Sequence, residues 1–232
     1  MRTTTKSLTA LLSAGIVVAA LAGCSQSGTG DSSQSGAGSS SAPSSASASA
    51  TPTPALMTAV GGKTTAITLD AGFVKALTTL KLTPGVIGSA TLSKEGVLTF
   101  PITGGNVTYY DPSTGVRPYV QGELDHDGSG LSLTAGDKKV ELKDFVIDPG
   151  NDSHVSGDVY LNGKSVVKGA NLFRLDGSTL NPVTMEGDAY ILEGTTVYVS
   201  EDAAALLNKT FGTDAVTGDL KVGIAKLTVT GK

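Results

Sequence analysis

Short runs in which apolar and polar residues alternate recur from Thr64 to Val229, and they constrain this chain more than any other feature. A period of two places apolar side chains on one face of a β-strand. Turns rich in glycine, asparagine, aspartate and proline separate the runs, and the chain holds 30 glycines. Many short strands with such turns predict an all-β fold, a β-sandwich, with two short α-helices.

The expected strands follow from the alternation, and two hairpins follow from the turns between them. Asn162-Gly163 is a two-residue hairpin signal, and Lys94-Glu95-Gly96 predicts a second hairpin between its neighbouring strands. The predicted strands are 64–69, 86–92, 97–102, 106–110, 119–124, 131–133, 140–147, 155–161, 165–167, 172–175, 190–192, 195–199 and 220–229.

Two segments have helical rather than strand periodicity. Asp70 is a candidate N-cap, and the apolar spacing after it predicts a helix over 71–80. Ser200 caps a second predicted helix, whose first turn carries Glu201 and Asp202. Acidic side chains in a first turn oppose the positive end of the helix dipole.

The N-terminus has the parts of a bacterial export signal. Arg2 and Lys6 precede an uncharged, apolar-rich run from Leu8 to Leu21, which is short for a membrane-spanning helix. Leu21-Ala22-Gly23-Cys24 matches a lipobox and contains the only cysteine of the chain. We therefore expect residues 1–23 to be removed and Cys24 to be lipidated, which anchors the protein at the extracytoplasmic face of the cell membrane.

The segment after Cys24 differs sharply in composition from the rest of the chain. Residues 25–54, here called the tether, are almost entirely Ser, Ala, Gly, Thr, Pro and Gln. Such a segment has no large apolar residues to bury, so we predict that it is disordered and reaches about 30 Å. Three parts are thus expected: the signal over 1–23, lipidated Cys24 with the tether over 24–54, and one β domain over 55–232.

Charge and motifs exclude several classes of function. The net charge is −4 and no basic block occurs, which argues against nucleic acid as a partner. The two histidines, His126 and His154, lack the companions of a zinc motif, and no nucleophile elbow or phosphate-binding loop is present. Ser129, His126 and Asp127 are too close in sequence for the usual geometry of a catalytic triad. We predict that the protein is not an enzyme.

The densest polar stretch is Asp125-His126-Asp127-Gly128-Ser129-Gly130-Leu131. Asp125, Asp127 and Ser129 alternate as in the first half of a calcium loop, but the twelfth position is Gly136 instead of a bidentate glutamate. A polar β-turn is the interpretation we favour, with those three oxygens as the alternative calcium ligands, and we do not expect calcium as a cofactor.

Tyrosines cluster in the first half of the predicted domain. Tyr109, Tyr110 and Tyr119 could form a ligand-binding face. Tyrosines on strands more often pack half-buried with the hydroxyl in water, so packing is the interpretation we favour here.

The order of features in residues 64–229 resembles the HtaA domain, a surface haem-binding module of Gram-positive bacteria. A helix with Phe73 comes first, the segment 140–147 resembles the family's next strand, and an alanine-rich helix follows near the end. The matching strand motifs are Gly96-Val97-Leu98-Thr99-Phe100-Pro101, Val120-Gln121-Gly122-Glu123-Leu124-Asp125-His126-Asp127-Gly128 and Leu192-Glu193-Gly194-Thr195-Thr196-Val197-Tyr198-Val199.

The resemblance implies a β-sandwich with two short helices and a haem pocket containing His126. The family's iron-ligating tyrosine falls on Ala76, and its second tyrosine falls on or near Phe211. Because the oxygen ligand for ferric haem is missing, the expected haem binding is weak or absent.

Two functions remain open from the sequence. The first is a non-catalytic surface lipoprotein that displays the β domain as a binding or structural module for an envelope component. The second is a haem-binding or haem-uptake protein that uses His126.

Overall fold

Strand pairing dominates residues 53–231, which are the part of the chain that the computed structural model describes. The predicted signal, Cys24 and residues 25–52 of the tether lie outside the described residues. The elements are β1 Leu56–Leu69, α1 Ala71–Thr79, β2 Thr83–Gly88, β3 Thr91–Leu92, β4 Val97–Pro101, β5 Gly104–Tyr109, β6 Val120–Ala135, β7 Lys138–Asp148, β8 His154–Leu161, β9 Lys164–Asp176, β10 Thr184–Glu186, β11 Ala189–Val199, α2 Glu201–Phe211 and β12 Lys221–Gly231.

The antiparallel pairings lead from strand to strand and back to β1. Neighbouring strands are hydrogen-bonded in the order β11-β9-β8-β7-β6-β5-β1. Strand β12 pairs with both β1 and β11 and so connects the two ends of this series. Strand β1 makes this possible because its first half pairs with β5, its second half pairs with β4, and its other edge pairs with β12. The sheet is therefore nearly closed.

The inward positions of these strands form one core. Val60, Val107, Leu124, Val140 and Val229 are each at most 1% exposed. Alternation along the strands supplies these inward positions, as in β4, where Leu98 and Phe100 are buried and the residues between and beside them are only partly buried. The prediction of an all-β, β-sandwich fold with two short α-helices is confirmed.

Both helices begin at their predicted caps. The Asp70 carboxylate accepts a hydrogen bond from Gly72 N, and α1 ends at Thr79. The Ser200 hydroxyl accepts from Ala203 N, and α2 ends where Gly212 adopts a φ of 69°. Capping side chains satisfy backbone N–H groups that have no partner within the helix, so the local sequence fixes both start points.

One predicted hairpin is confirmed and the other is wrong in its first half. Asn162 and Gly163 have φ of 50° and 77° and connect β8 to β9 with Leu161 opposite Lys164. The predicted strand 86–92 is instead split at Gly88, which has a φ of 59°. Only Thr91–Leu92 pairs with β4, whereas Thr83–Gly88 pairs with β6.

The polar turn predicted within 125–131 is also wrong, because β6 runs unbroken through that stretch. Between the pairs His126–Phe145 and Gly130–Lys143, three residues of β6 face the single residue Asp144 of β7. This is a large β-bulge, in which Gly128 and Asp144 have φ of 69° and 53°. Turn-forming residues therefore bend a strand here rather than end it.

Neither helix within residues 53–231 is both long and apolar enough to span a membrane.

Candidate functional site

A cavity of about 360 Å³ lies inside the nearly closed sheet. Its walls come from both halves of the sheet and are mostly apolar. Phe145 forms edge-to-face contacts with Phe100, at a ring-centroid distance of 5.3 Å, and with Phe173, at 6.1 Å. All three rings line the cavity. The size lies within the range of small-molecule sites in proteins, which are typically apolar with a few placed polar groups.

His126 lies on the inner wall of this cavity and is 1% exposed. Its Nδ1 is 3.2 Å from Phe145 O, and its Nε2 is 2.8 Å from Thr65 Oγ1. A carbonyl oxygen can only accept, so in the neutral ring Nδ1 carries the proton and Nε2 accepts from the Thr65 hydroxyl. Both ring nitrogens therefore have partners within the protein.

Burial lowers the pKa of His126 below its ordinary value, and the hydrogen bond to the Phe145 carbonyl opposes this only in part. Desolvation penalises the charged imidazolium more than the neutral ring. The imidazole is therefore neutral at pH 7, so the inner wall carries no positive charge there.

His126 is the last paired residue of β6 before the β-bulge, and it is buried in alternation with Leu124. Gly128 N donates to the Asp144 carboxylate at 2.9 Å, and Asp127 N donates to Thr103 Oγ1 at 3.0 Å. These bonds hold Asp127 and Gly128 on the exposed side of the sheet. The ring of His126 is held by its own two hydrogen bonds, to Thr65 of β1 and to Phe145 of β7.

The candidate calcium ligands Asp127 and Ser129 differ in exposure and in their hydrogen-bond partners. The Asp127 carboxylate accepts from the Thr103 hydroxyl at 3.3 Å on the exposed side. The Ser129 hydroxyl is 1% exposed and donates to the backbone oxygen of His126 at 2.9 Å. Asp125 lies opposite Gly104 of β5. Among residues 53–231, no group of three or more His, Cys, Asp or Glu side chains is arranged to hold a metal ion.

The open end of the cavity is marked by three loops that supply its exposed lining residues. Arg117, Asn151 and Ser178 belong to these loops and are exposed. Tyr119 also lines the cavity, and its hydroxyl donates to Gly177 O, which ties two of the loops together. Burial raises the pKa of Tyr119 above its ordinary value, so its hydroxyl stays protonated.

The positions of the family's tyrosines lie away from this cavity. Ala76 is on α1 and Phe211 is the last residue of α2, and neither is among the lining residues. Tyr109 is 8% exposed and stacks edge-to-face on Tyr119 at 6.3 Å, so it packs in the core as the favoured interpretation has it.

Of three residues on the cavity wall, the sequence motifs pointed to His126 but not to Thr65 or Arg117. Thr65 is 61 positions away from His126, so only the fold brings the two together. A signal was present, since Thr65 occupies an inward position in an alternating strand, where an unpaired hydroxyl is costly. Arg117 lies in a loop and carries no sequence pattern that points to a cavity.

Stability should fall with acidity because of His126. Its pKa is lower in the folded chain than the unfolded value of about 6.5, so the unfolded chain binds a proton first as pH falls. Below pH 6.5, and down to the folded pKa, we expect the melting temperature to drop by at most about 4 °C per pH unit, the slope for one full proton of difference.

Thermal melts between pH 7.5 and 5.5 check this. In His126→Asn the slope should be much flatter, whereas in the partly exposed His154→Asn it should persist. An equal slope in the unaltered chain and in His126→Asn would contradict the assignment.

Comparison with known proteins gives a result only for solved structures. No protein-family model matches the sequence, and no curated protein matches it. The C-terminal domain of HtaA from Corynebacterium glutamicum superposes with a TM-score of 0.50 and 14% identity, over 75% of this chain and 98% of that one. Heme binding protein HtaB from the same organism gives a TM-score of 0.44 and 11% identity, over 75% of this chain and 94% of that one. The chain therefore carries an HtaA-like domain fold, as its sequence motifs predicted.

Proposed function

We propose that this chain is a non-catalytic, lipid-anchored binding module of the bacterial cell surface, and that its cavity holds a small apolar ligand. The main support for this binding function is the cavity of about 360 Å³ with its phenylalanine-rich wall. Burying apolar ligand surface against such a wall is favourable in proportion to the area removed from water.

The polar groups of the wall support an apolar ligand as well. Both nitrogens of His126 have partners in the protein, and the hydroxyl of Tyr119 donates to a backbone carbonyl. A ligand that needed hydrogen bonds from the inner wall would have to break these. An apolar body leaves all of them in place.

The lipobox supports the proposed location. Lipidation of Cys24 would place the module outside the cell membrane, and the tether would set its distance from the bilayer. At that location the cavity could bind a component of the cell envelope that has an apolar part.

A neutral fluorescent probe tests the binding function. N-phenyl-1-naphthylamine should bind the full chain carrying Cys24→Ala, a variant that needs no detergent. Ala225 lines the cavity and is 4% exposed, so Ala225→Leu should fill part of the space and weaken the probe at least about ten-fold.

Ala215→Leu is the matched control, because Ala215 is exposed on a loop. It adds the same atoms outside the cavity and should leave probe binding unchanged. Equal probe binding by both variants, with unchanged melting curves, would reject the cavity as the site.

Haem is the second candidate ligand, favoured by the HtaA-like fold together with the position of His126 in the cavity wall. Imidazole nitrogen and phenolate oxygen are both known ligands of haem iron. Nε2 of His126 accepts from Thr65, and the raised pKa of Tyr119 opposes its phenolate form. As they stand, these residues do not fit iron ligation.

Hemin titration separates the two candidates. The unaltered chain should give only a broad Soret band, whereas Thr65→Ala should bind hemin about ten-fold more tightly, because Nε2 no longer accepts a hydrogen bond. Adding His126→Ala to Thr65→Ala should remove the gain.

Thr68→Ala, an exposed position on the same strand, should behave as the unaltered chain does. A sharp, stoichiometric Soret band from the unaltered chain that His126→Ala abolishes would instead establish haem handling through His126.

A further inference from the structure

Arg117 is the one charged side chain among the residues that line the cavity, since His126 is neutral at pH 7. It is exposed at the open end and lies beside Tyr119, with its guanidinium carbon 5.8 Å from the ring centroid. Its Nη1 donates to Val116 O at 2.7 Å and to Pro112 O at 3.4 Å, which are both backbone atoms of its own loop.

The guanidinium has no acidic partner within the described part of the chain. Eight ion pairs occur there, and none includes Arg117. Arg174, the other arginine in residues 53–231, lies 3.8 Å from Asp219 and stacks on Tyr198. A guanidinium presents five N–H donors, and the two backbone bonds of Arg117 leave others for a carboxylate.

The inner wall and the open end of the cavity therefore favour different chemical groups on a ligand. The inner wall is mostly apolar, its buried polar side chains Thr65 and His126 are hydrogen-bonded within the protein, and His126 is neutral. The open end offers a cation to solvent. A molecule that satisfies both has an unbranched apolar body and one anionic head group.

We propose that the cavity takes a straight-chain fatty acid, with the chain against the phenylalanines and the carboxylate at Arg117. This rests on the proposed binding function and adds the class of ligand and its orientation. The acyl chain would reach toward His126, whose two ring nitrogens already have partners in the protein. The carboxylate would stay at the open end, where water continues to solvate it.

Displacement of N-phenyl-1-naphthylamine by octanoic, decanoic and dodecanoic acid tests the proposal on the full Cys24→Ala chain. Affinity should rise about four-fold for each added methylene until the cavity is full. Matched primary alcohols of the same length should bind about five-fold more weakly than the acids, which is the contribution of a partly exposed ion pair.

Arg117→Gln should lower the affinity for the acids to that for the alcohols and leave the alcohols unchanged. Arg117→Lys should restore part of the difference, and Arg174→Gln, which removes an arginine outside the cavity, should have no effect. The melting temperature of Arg117→Gln checks that its loop remains folded.

The outcomes separate this inference from the function on which it rests. If the neutral probe binds but acids and alcohols compete equally, or Arg117→Gln changes neither, the fatty-acid inference is overturned and the apolar site stands. If the probe binds and no acid displaces it, the inference is likewise overturned. If the probe fails to bind at all, the proposed binding function fails and the inference fails with it.

Discussion

Gly105→Ala is expected to cost more than about 4 kcal/mol of folding free energy and to lower the melting temperature by at least about 10 °C. Gly105 has a φ of 104°, and a Cβ there would overlap the backbone oxygen of Glu123 and lie 2.8 Å from its carbonyl carbon. Backbone atoms of a paired strand cannot move aside as a flexible side chain can. The substitution therefore has to separate β5 from β6, the strand that carries His126.

Gly115→Ala is the control that isolates the backbone dihedral from the overlap. Gly115 has a φ of 77°, but nothing lies within 4 Å of a Cβ at that position. Its cost should be only about 1–2 kcal/mol, the penalty of a left-handed conformation for a residue with a side chain. Chemical denaturation of both variants provides the comparison, and similar losses would show that the close approach of β5 to β6 is not what limits stability.

The alternation of apolar residues predicted most strands because it reports directly which face is buried. The same signal missed residues 56–63 of β1, where Gly61 and Gly62 interrupt the alternation and the register shifts against β12. It could not predict that β1 pairs on both edges, since pairing partners are set by contacts between distant segments. Closure of the sheet, and with it the cavity, thus follows from the fold and not from any local pattern.

The stretch 125–131 shows how composition misled a local prediction. Aspartate, glycine and serine favour turns because they tolerate left-handed backbone and bond to nearby N–H groups. Here those properties serve a bulge, in which Gly128 takes the positive φ and Asp144 of the next strand accepts its N–H. A turn and a bulge need the same residues, and only the paired strand β7 distinguishes them.

The structure places His126 on the cavity wall, and its chemistry there depends on a partner, Thr65, that the sequence did not indicate. An imidazole with a free nitrogen would suit a metal ligand. One that accepts from Thr65 and donates to Phe145 O is a satisfied core residue on a cavity wall. Ala76 and Phe211, where the resemblance places the tyrosines of the HtaA domain, do not line the cavity.

The largest change in the behaviour of the protein should come from one residue outside the described structure. In Cys24→Ala no thiol is available for lipidation, so the protein should leave the membrane fraction and appear in the medium or as an unprocessed precursor. Cell fractionation with immunodetection measures the distribution, and intact mass shows whether the N-terminus carries lipid. Ser27→Ala, a nearby change that keeps the cysteine, should remain in the membrane fraction.

Probe binding provides an independent check that Cys24 serves the anchor and the cavity serves the proposed binding function. Because the cavity is built from residues 65–227, the released Cys24→Ala protein should bind the neutral probe as the lipidated protein does in membranes. A correctly cleaved Cys24→Ala protein that stays at the membrane would contradict lipid anchoring. It would also indicate that the domain itself attaches to the membrane. The open end of the cavity, where Arg117 could meet anionic head groups, would then be the first surface to mutate.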